Sequence, residues 1–135
     1  MTETTHTVRI KANLNRVRAL YQGHVIADTK HALTVIETNH DPVQYFPRDD
    51  VEMGFMGKTD RHTTCPYKGV ASYFTLTMDG QIAENVVWTY EDPIPAVLAL
   101  KDYLAFYPDR VEVYELTPGE EAQEPRAAHP HVTDA

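Results

Sequence analysis

The sequence predicts a small, compact, single-domain, mainly β structure with one C-terminal α-helix before the last strand. Three observations support this fold class. Several short segments alternate apolar and polar residues with a period of two, which is typical of half-buried strands. Two pairs of turn residues, Gln22 with Gly23 and Asp79 with Gly80, separate such segments. Apolar residues repeat at a spacing of three and four in only one stretch, which follows Asp92.

The first half of the chain predicts a series of short strands. Residues 1–7 are polar and rich in threonine, so we expect a disordered N-terminus. The first four strands are predicted at residues 8–11, 16–21, 24–27 and 32–37. A further strand at residues 43–46 ends before Pro47, and residues 48–60 are expected to wrap the sheet irregularly.

The second half predicts a hairpin, the helix and a last strand. Residues 69–78 and 81–90 alternate and are joined by an Asp-Gly turn, which is typical of a hairpin. Asp92 is suited to cap the helix and Pro93 to occupy its first position. The apolar stripe of this helix comprises Val97, Leu100, Leu104 and Tyr107. Pro108 ends the helix, and the last strand follows at residues 110–114.

The predicted folded domain covers residues 8–116. Residues 117–135 contain Pro, Ala, Glu and His with almost no large apolar side chains. Burial of such a segment cannot offset the entropy of ordering it, so we expect a disordered acidic tail.

Composition excludes several classes of function. The chain has 12 basic and 20 acidic residues and a net charge of −8. It has no dense Lys/Arg stripe, so we expect no nucleic-acid partner. No segment has transmembrane length and no signal peptide is evident, so we expect no membrane partner. A single cysteine, Cys65, fits a reducing compartment, and the expected location is cytoplasmic. The residues identify no cofactor.

The segment from Thr63 to Gly69 holds the first candidate site residues. Cys65 precedes a proline and so lies in a turn or extended geometry. Lys68 follows three residues later and stabilises a thiolate if the two side chains converge. Cys65 is therefore a candidate nucleophile or ligand-holding thiol. The alternative is a small buried hydrophobe at a tight corner.

Carboxylates supply the second set of candidates. Glu37 ends a β-branched strand and is expected to project into a cleft. Asp50 and Glu52 share a face if the chain there is extended, which suits a metal or a general acid/base pair, although acids in such loops are commonly solvated or capping residues. His62 and Cys65 have the spacing of metal ligands, but no second pair is nearby, so no metal site is predicted.

Aromatic residues form the third set. Tyr45, Tyr67 and Tyr73 are the candidates for a ligand pocket, because a buried tyrosine hydroxyl needs a partner. Phe46, Trp88 and Phe106 are expected in the core. Trp88 is expected to share its face with two other apolar residues of its strand, Ile82 and Val86.

These landmarks resemble a known family. The segments Val25-Ile-Ala-Asp28, Tyr45-Phe-Pro47, Thr64-Cys-Pro-Tyr-Lys-Gly69 and Tyr103-Leu-Ala-Phe-Tyr107 occur in the order and spacing of the domain-of-unknown-function 427 family, filed in places as nucleotidyltransferase-like. The resemblance implies a β-tent-like fold in which residues matching Glu37, Tyr45, Cys65 and Lys68 surround one cleft. Such folds often bind zinc through paired CxxC motifs, which this sequence lacks.

The function predicted from these residues is the binding of a small molecule in a polar cleft, with the enzyme question left open. In a catalytic version Cys65 is the nucleophile, Glu37 a base or orienting group, and Lys68 stabilises negative charge. The alternatives are a nucleotidyltransferase-like enzyme and a non-catalytic protein-interaction module. The central geometric prediction is that Glu37, Tyr45, Cys65 and Lys68 converge on one concave site.

Overall fold

Alternating apolar residues and tight turns build ten antiparallel strands within residues 5–123, the part of the chain that the computed structural model of the protein describes. The strands are β1 (Val8–Ala12), β2 (Arg16–Tyr21), β3 (His24–Thr29), β4 (Leu33–Glu37), β5 (Val43–Tyr45), β6 (Met56–Cys65), β7 (Gly69–Met78), β8 (Gln81–Thr89), β9 (Leu104–Phe106) and β10 (Glu112–Leu116). They form three sheets, ordered β1-β4-β5, β10-β2-β3 and β6-β7-β8-β9. The predicted mainly β fold class is confirmed.

Both predicted hairpin turns have the expected backbone. Gln22 and Gly23 have φ angles of 53° and 78°, and Asp79 and Gly80 have φ angles of 53° and 77°. Positive φ at both central residues is the type I′ geometry, whose twist matches that of the flanking strands. The hairpins β2–β3 and β7–β8 therefore follow from local sequence.

The four-stranded sheet is buried on both faces, and each face packs against one of the other sheets. One face meets β2 and β3 in what we call the apolar core, whose members include Val17, Ile26, Phe46, Phe74, Leu76, Leu104 and Phe106. The opposite face meets β4 and β5 in the tyrosine core, which comprises Val35, Tyr45, Ala71, Tyr73, Tyr90, Val97, Leu100 and Ala105. Alternation along β7 and β9 sends successive side chains to the two cores.

Tyr45 and Phe46 divide between these cores, as their alternation predicts. Tyr45 ends β5 and packs in the tyrosine core. Phe46 packs in the apolar core and exchanges two backbone hydrogen bonds of 2.8 Å with Leu104. This bridge joins the end of β5 to β9, and thus connects the sheet β1-β4-β5 to the four-stranded sheet.

A bulge in β8 breaks the alternation predicted for this strand. Asn85 has a positive φ of 54°, and β8 gains two residues relative to β7, since Phe74 pairs with Val87 and Leu76 with Ala83. Val86 therefore packs in the apolar core, whereas Trp88 is half-buried against the tyrosine core. Ile82 is 61% exposed. The expectation that Ile82, Val86 and Trp88 share one buried face is therefore wrong.

The predicted helix is present only as a short 3-10 helix, Pro95–Leu100, with a kink at Val97. Val97 and Leu100 are buried, as their spacing predicts. Leu104 instead lies in β9, because that strand completes the hydrogen bonding of the exposed edge of β8. Val97, Leu100 and Leu104 thus have the spacing of one helix face, but Leu104 belongs to a short edge strand.

Residues 48–60 are more regular than predicted. Two single-turn 3-10 helices, Arg48–Asp50 and Met53–Phe55, lead directly into the ten-residue strand β6. Most side chains of β6 are exposed and polar, so the strand lacked an apolar alternation to reveal it. A polar edge strand of this kind discourages pairing with other chains.

The structure also corrects the two predicted disordered ends where it describes them. His6 hydrogen-bonds to Glu37, so residues 5–7 are held against the domain. Residues Pro118–Gln123 form the helix α1, and Glu121 of this helix pairs with Arg16. The remainder of both predicted segments lies outside the described residues. In the described part of the chain, no helix is both long enough and apolar enough to cross a membrane.

Candidate functional site

A cavity of about 460 Å³ opens on the tyrosine core. This volume lies in the range of small-molecule sites. The polar groups of its wall include Glu37, Cys65 and Lys68, and its aromatic groups are Tyr45, Tyr73, Trp88, Tyr90 and Tyr107. We call this cavity the cleft.

Three chemically reactive groups meet at one end of the cleft. Lys68 Nζ donates a hydrogen bond of 2.6 Å to Glu37 Oε1, across 31 residues of sequence. The same ammonium lies 3.6 Å from Cys65 Sγ and donates to it. The Lys68 and Glu37 side chains are only 8% and 11% exposed, so the ion pair is largely removed from water.

The backbone around Gly69 fixes this ammonium in place. Cys65 ends β6 before Pro66, and the amide of Lys68 closes a turn on the Cys65 carbonyl at 3.2 Å. The Lys68 carbonyl accepts a hydrogen bond of 3.0 Å from Ile94. Gly69 has a φ of 119° and would bring a Cβ within 3.4 Å of backbone atoms that include Ile94 N. Glycine is therefore required for the close approach that buries Lys68.

His6 and Tyr67 form the rim beside this end of the cleft. His6 Nε2 hydrogen-bonds to Glu37 Oε2 at 2.9 Å, while Lys68 holds the other carboxylate oxygen. The Tyr67 ring stacks on His6 with a centroid distance of 3.8 Å, and it is 43% exposed. The His40 ring meets His6 edge-on at 6.4 Å. Glu37 is thus held at both oxygens.

The pKa of Glu37 reflects these contacts. Burial alone disfavours the carboxylate, but the hydrogen bond and positive charge of Lys68 outweigh it, with help from the hydrogen bond of His6. The net effect lowers the pKa of Glu37 below its ordinary value of 4.5. Glu37 is therefore a carboxylate at neutral pH.

Two tyrosine residues line the cleft whose hydroxyl protons have no acceptor within the described part of the chain. Tyr45 is 2% exposed, and its oxygen accepts a hydrogen bond of 3.1 Å from Trp88 Nε1, so its own proton stays available. Tyr90 is 6% exposed, and its hydroxyl has no hydrogen-bond partner among residues 5–123. By contrast, the Tyr73 hydroxyl is paired with Thr63 at 2.7 Å.

Burial keeps these hydroxyls protonated. It raises the pKa of Tyr45 and of Tyr90 well above the ordinary value of 10, and neighbouring Glu37 adds to both shifts. Burial, together with a hydrogen bond to Tyr73, raises the pKa of Tyr107 to about 12. The cleft therefore presents hydrogen-bond donors at any physiological pH.

The family follows from a comparison with known domains. A model of the family described as domain of unknown function DUF427 matches residues 9–117, which is most of the chain. The chain belongs to the DUF427 family. No curated protein matches it.

In this DUF427 domain, five of the seven predicted site residues line one cleft. They are Glu37, Tyr45, Cys65, Lys68 and Tyr73. The geometric prediction of convergence therefore holds, because strands β4, β5, β6 and β7 place these side chains on the tyrosine core.

The other two predicted residues lie elsewhere. Asp50 is in the 3-10 turn after Pro47 and accepts a hydrogen bond of 2.7 Å from the buried Thr29, so its contact is structural. Tyr67 belongs to the rim and does not line the cleft. Across the described residues, no group of three or more His, Cys, Asp or Glu side chains is arranged to hold a metal ion. The predicted carboxylate pair, Asp50 and Glu52, therefore does not line the cleft.

Sequence reasoning missed three residues of the cleft wall and one of the rim. Trp88 was assigned to the core, Tyr107 to a helix and His6 to a disordered end. Tyr90 was not selected, although it lies two residues after Trp88 and shares its face of the sheet. Alternation from Trp88 would have identified Tyr90, because the strand is regular between these two residues.

Proposed function

We propose that the cleft binds a small, flat, neutral compound that carries a carbonyl group. The observation that carries this proposal is the pair of unused donors, the hydroxyls of Tyr45 and Tyr90. A ligand oxygen that accepts from these hydroxyls gains hydrogen bonds worth about 0.5–1.5 kcal/mol each. A carbonyl oxygen has two lone pairs and suits two such donors.

The walls of the cleft favour a flat ligand. Trp88 packs against Tyr107 with a centroid distance of 4.6 Å, and it meets Tyr45 edge-on at 6.2 Å. Aromatic walls of this kind stack on or edge-pack against a planar ring. A flat ring therefore gains more contact area here than a puckered one.

The charges at the end of the cleft favour a neutral ligand. Glu37 and Lys68 already neutralise each other at 2.6 Å. A charged ligand would have to displace one partner of this pair and leave the other partner buried and uncompensated. A neutral carbonyl compound leaves the pair intact.

A thermal-shift measurement with benzamide tests this proposal. Benzamide and naphthamide are expected to raise the melting temperature of the protein, since a ligand at a hundred times its Kd adds about 2.7 kcal/mol. Cyclohexanecarboxamide, which is not flat, and benzylamine, which has no carbonyl, are expected to have much smaller effects.

Matched variants localise the effect. Tyr90→Phe removes one donor of the cleft and is expected to reduce the shift with benzamide. Tyr21→Phe is the control, because Tyr21 is also buried but packs in the apolar core. An equal shift in wild type and Tyr90→Phe, or no shift with either carboxamide, would contradict the proposal.

A further inference from the structure

We propose that the cleft transfers an acyl group from a small aromatic ester to Cys65, with the hydroxyls of Tyr90 and Tyr45 binding the oxyanion. This inference rests on the proposed binding of aromatic carbonyl compounds. It assigns to that site a reaction class, acyl transfer, and to Tyr90 a direct catalytic role.

The nucleophile and its activator are in contact. Cys65 Sγ is half-buried, borders the cleft, and accepts a hydrogen bond from Lys68 Nζ at 3.6 Å. The thiolate is the nucleophilic form of cysteine, and the Lys68 ammonium lies next to the sulfur that would attack the carbonyl. Glu37 positions this ammonium through its 2.6 Å hydrogen bond and is a positioning residue.

The donors for the oxyanion are already in place. Tyr90 is 94% buried, and its hydroxyl faces the cleft with no partner among the described residues. Tyr45 has a proton to donate, since its oxygen accepts from Trp88. Donors fixed in a partly dry site need no reorganisation when negative charge develops, and this is the property of an oxyanion hole.

The sulfur and the two phenols line the same cavity, which is bordered by Cys65, Tyr45 and Tyr90. Burial is the largest cause of the raised pKa of Tyr45 and of Tyr90. The raised pKa values keep both phenols protonated, so they donate hydrogen bonds and do not repel an oxyanion. Cys65 and both tyrosines can therefore contact the same ligand in the cleft.

The reaction balances as follows for an aryl ester. Ionisation of Cys65 releases its proton to solvent, and the thiolate forms a C–S bond to the ester carbonyl while the C=O π electrons move to oxygen. This oxyanion is held by Tyr90 and Tyr45. Its collapse breaks the C–O bond, and the leaving phenolate takes up a proton from solvent. The products of this transfer are the free phenol and the Cys65 thioester.

The experiment uses para-nitrophenyl benzoate with the full chain. Release of para-nitrophenolate is followed by absorbance, and the modified residue is identified by peptide mass mapping. We expect one benzoyl group, on Cys65, and none in Cys65→Ala. Tyr90→Phe should slow benzoylation about 100-fold, the effect of removing one oxyanion-hole donor. Tyr45→Phe should slow it as well, and Tyr21→Phe should react like wild type.

Alkylation by iodoacetamide separates this role from a general effect on the thiol. Alkylation displaces iodide without forming an oxyanion, so Tyr90→Phe should leave its rate unchanged. Benzoylation on another residue, equal slowing of both reactions, or no slowing of benzoylation would overturn the proposal. If benzamide stabilises the wild-type protein while Cys65 stays unmodified, acyl transfer is wrong and the binding proposal stands. If benzamide does not bind either, the binding proposal itself is wrong.

Discussion

Each face of the four-stranded sheet packs against a three-stranded sheet, but the two cores differ in composition. The apolar core is closed by aliphatic and phenylalanine side chains such as Ile26, Phe46 and Leu76. The tyrosine core contains three buried tyrosines and opens into a cavity of about 460 Å³. One sheet therefore supports a packed face and a face with unfilled space and unused hydroxyl groups.

This difference separates residues that stabilise the fold from residues that line the candidate site. A packed apolar face stabilises the domain in proportion to the area that it buries. A face that retains a cavity and hydroxyls without acceptors gives up part of this stability. A loss of stability of this kind is expected at functional sites, where the requirements of binding outweigh those of close packing. We therefore assign stability mainly to the apolar core and ligand recognition to the tyrosine core.

The largest expected loss of stability comes from a substitution in the apolar core. Phe46→Ala should lower the free energy of unfolding by about 3–5 kcal/mol, because it leaves a cavity in a closed core. The neighbouring Tyr45→Phe keeps the ring and should cost about 1 kcal/mol, the value of a lost hydrogen bond from Trp88. Urea denaturation measures both. Comparable losses in the two variants would show that the two cores do not differ in this way.

The second effect breaks the ion pair in the tyrosine core. Lys68→Met should lower the free energy of unfolding by about 2–3 kcal/mol, because Glu37 stays buried with only His6 as a partner. Chemical denaturation of Lys68→Met and of the double variant Glu37→Gln/Lys68→Met checks this. The double variant should recover part of the loss, since it leaves no uncompensated charge. A double variant less stable than Lys68→Met would contradict this explanation.

The third effect concerns acid pH and the same carboxylate. The pKa of Glu37 in the folded protein lies below its ordinary value of 4.5. Its ionised form therefore stabilises the fold above pH 4.5, and this contribution is lost as the pH falls through the lowered pKa. Wild type should be more stable than Glu37→Gln at neutral pH, and this difference should shrink at about pH 3.

Denaturation curves at the two pH values measure that change. Glu84→Gln is the matched control, because Glu84 is an exposed carboxylate of β8. Its stability relative to wild type should depend little on pH over this range. A difference between wild type and Glu37→Gln that grows on acidification would contradict the assignment.

The sequence predicted the features that local rules determine. Paired turn residues defined both hairpins, and alternation separated Tyr45 from Phe46. The convergence of Glu37, Cys65 and Lys68 was predicted because opposite charges near apolar strands are expected to pair. These inferences needed only the spacing of residues and elementary costs of burial.

The rest depended on tertiary contacts that spacing does not reveal. The bulge at Asn85 separated Val86, in the apolar core, from Trp88, which packs against the tyrosine core. Backbone pairing with β8 placed Leu104 in a strand although its spacing was helical. His6 gained order from Glu37, which is 31 residues away. In each case a long-range contact outweighed the local preference.

The most direct test of the tyrosine core as a binding site is the fluorescence of Trp88 on addition of benzamide. Trp88 is the only tryptophan of the chain, it is half-buried, and it lines the cleft. Trp88 also lines a second cavity beside Pro42 and Phe106, and the Tyr90→Phe variant separates the two, because Tyr90 lines the cleft and not this second cavity. We predict a saturable change in Trp88 emission in the wild-type protein. The affinity for benzamide should be the same in Tyr21→Phe and lower in Tyr90→Phe. A change that rises linearly without saturation, or equal affinity in Tyr90→Phe and wild type, would contradict this prediction.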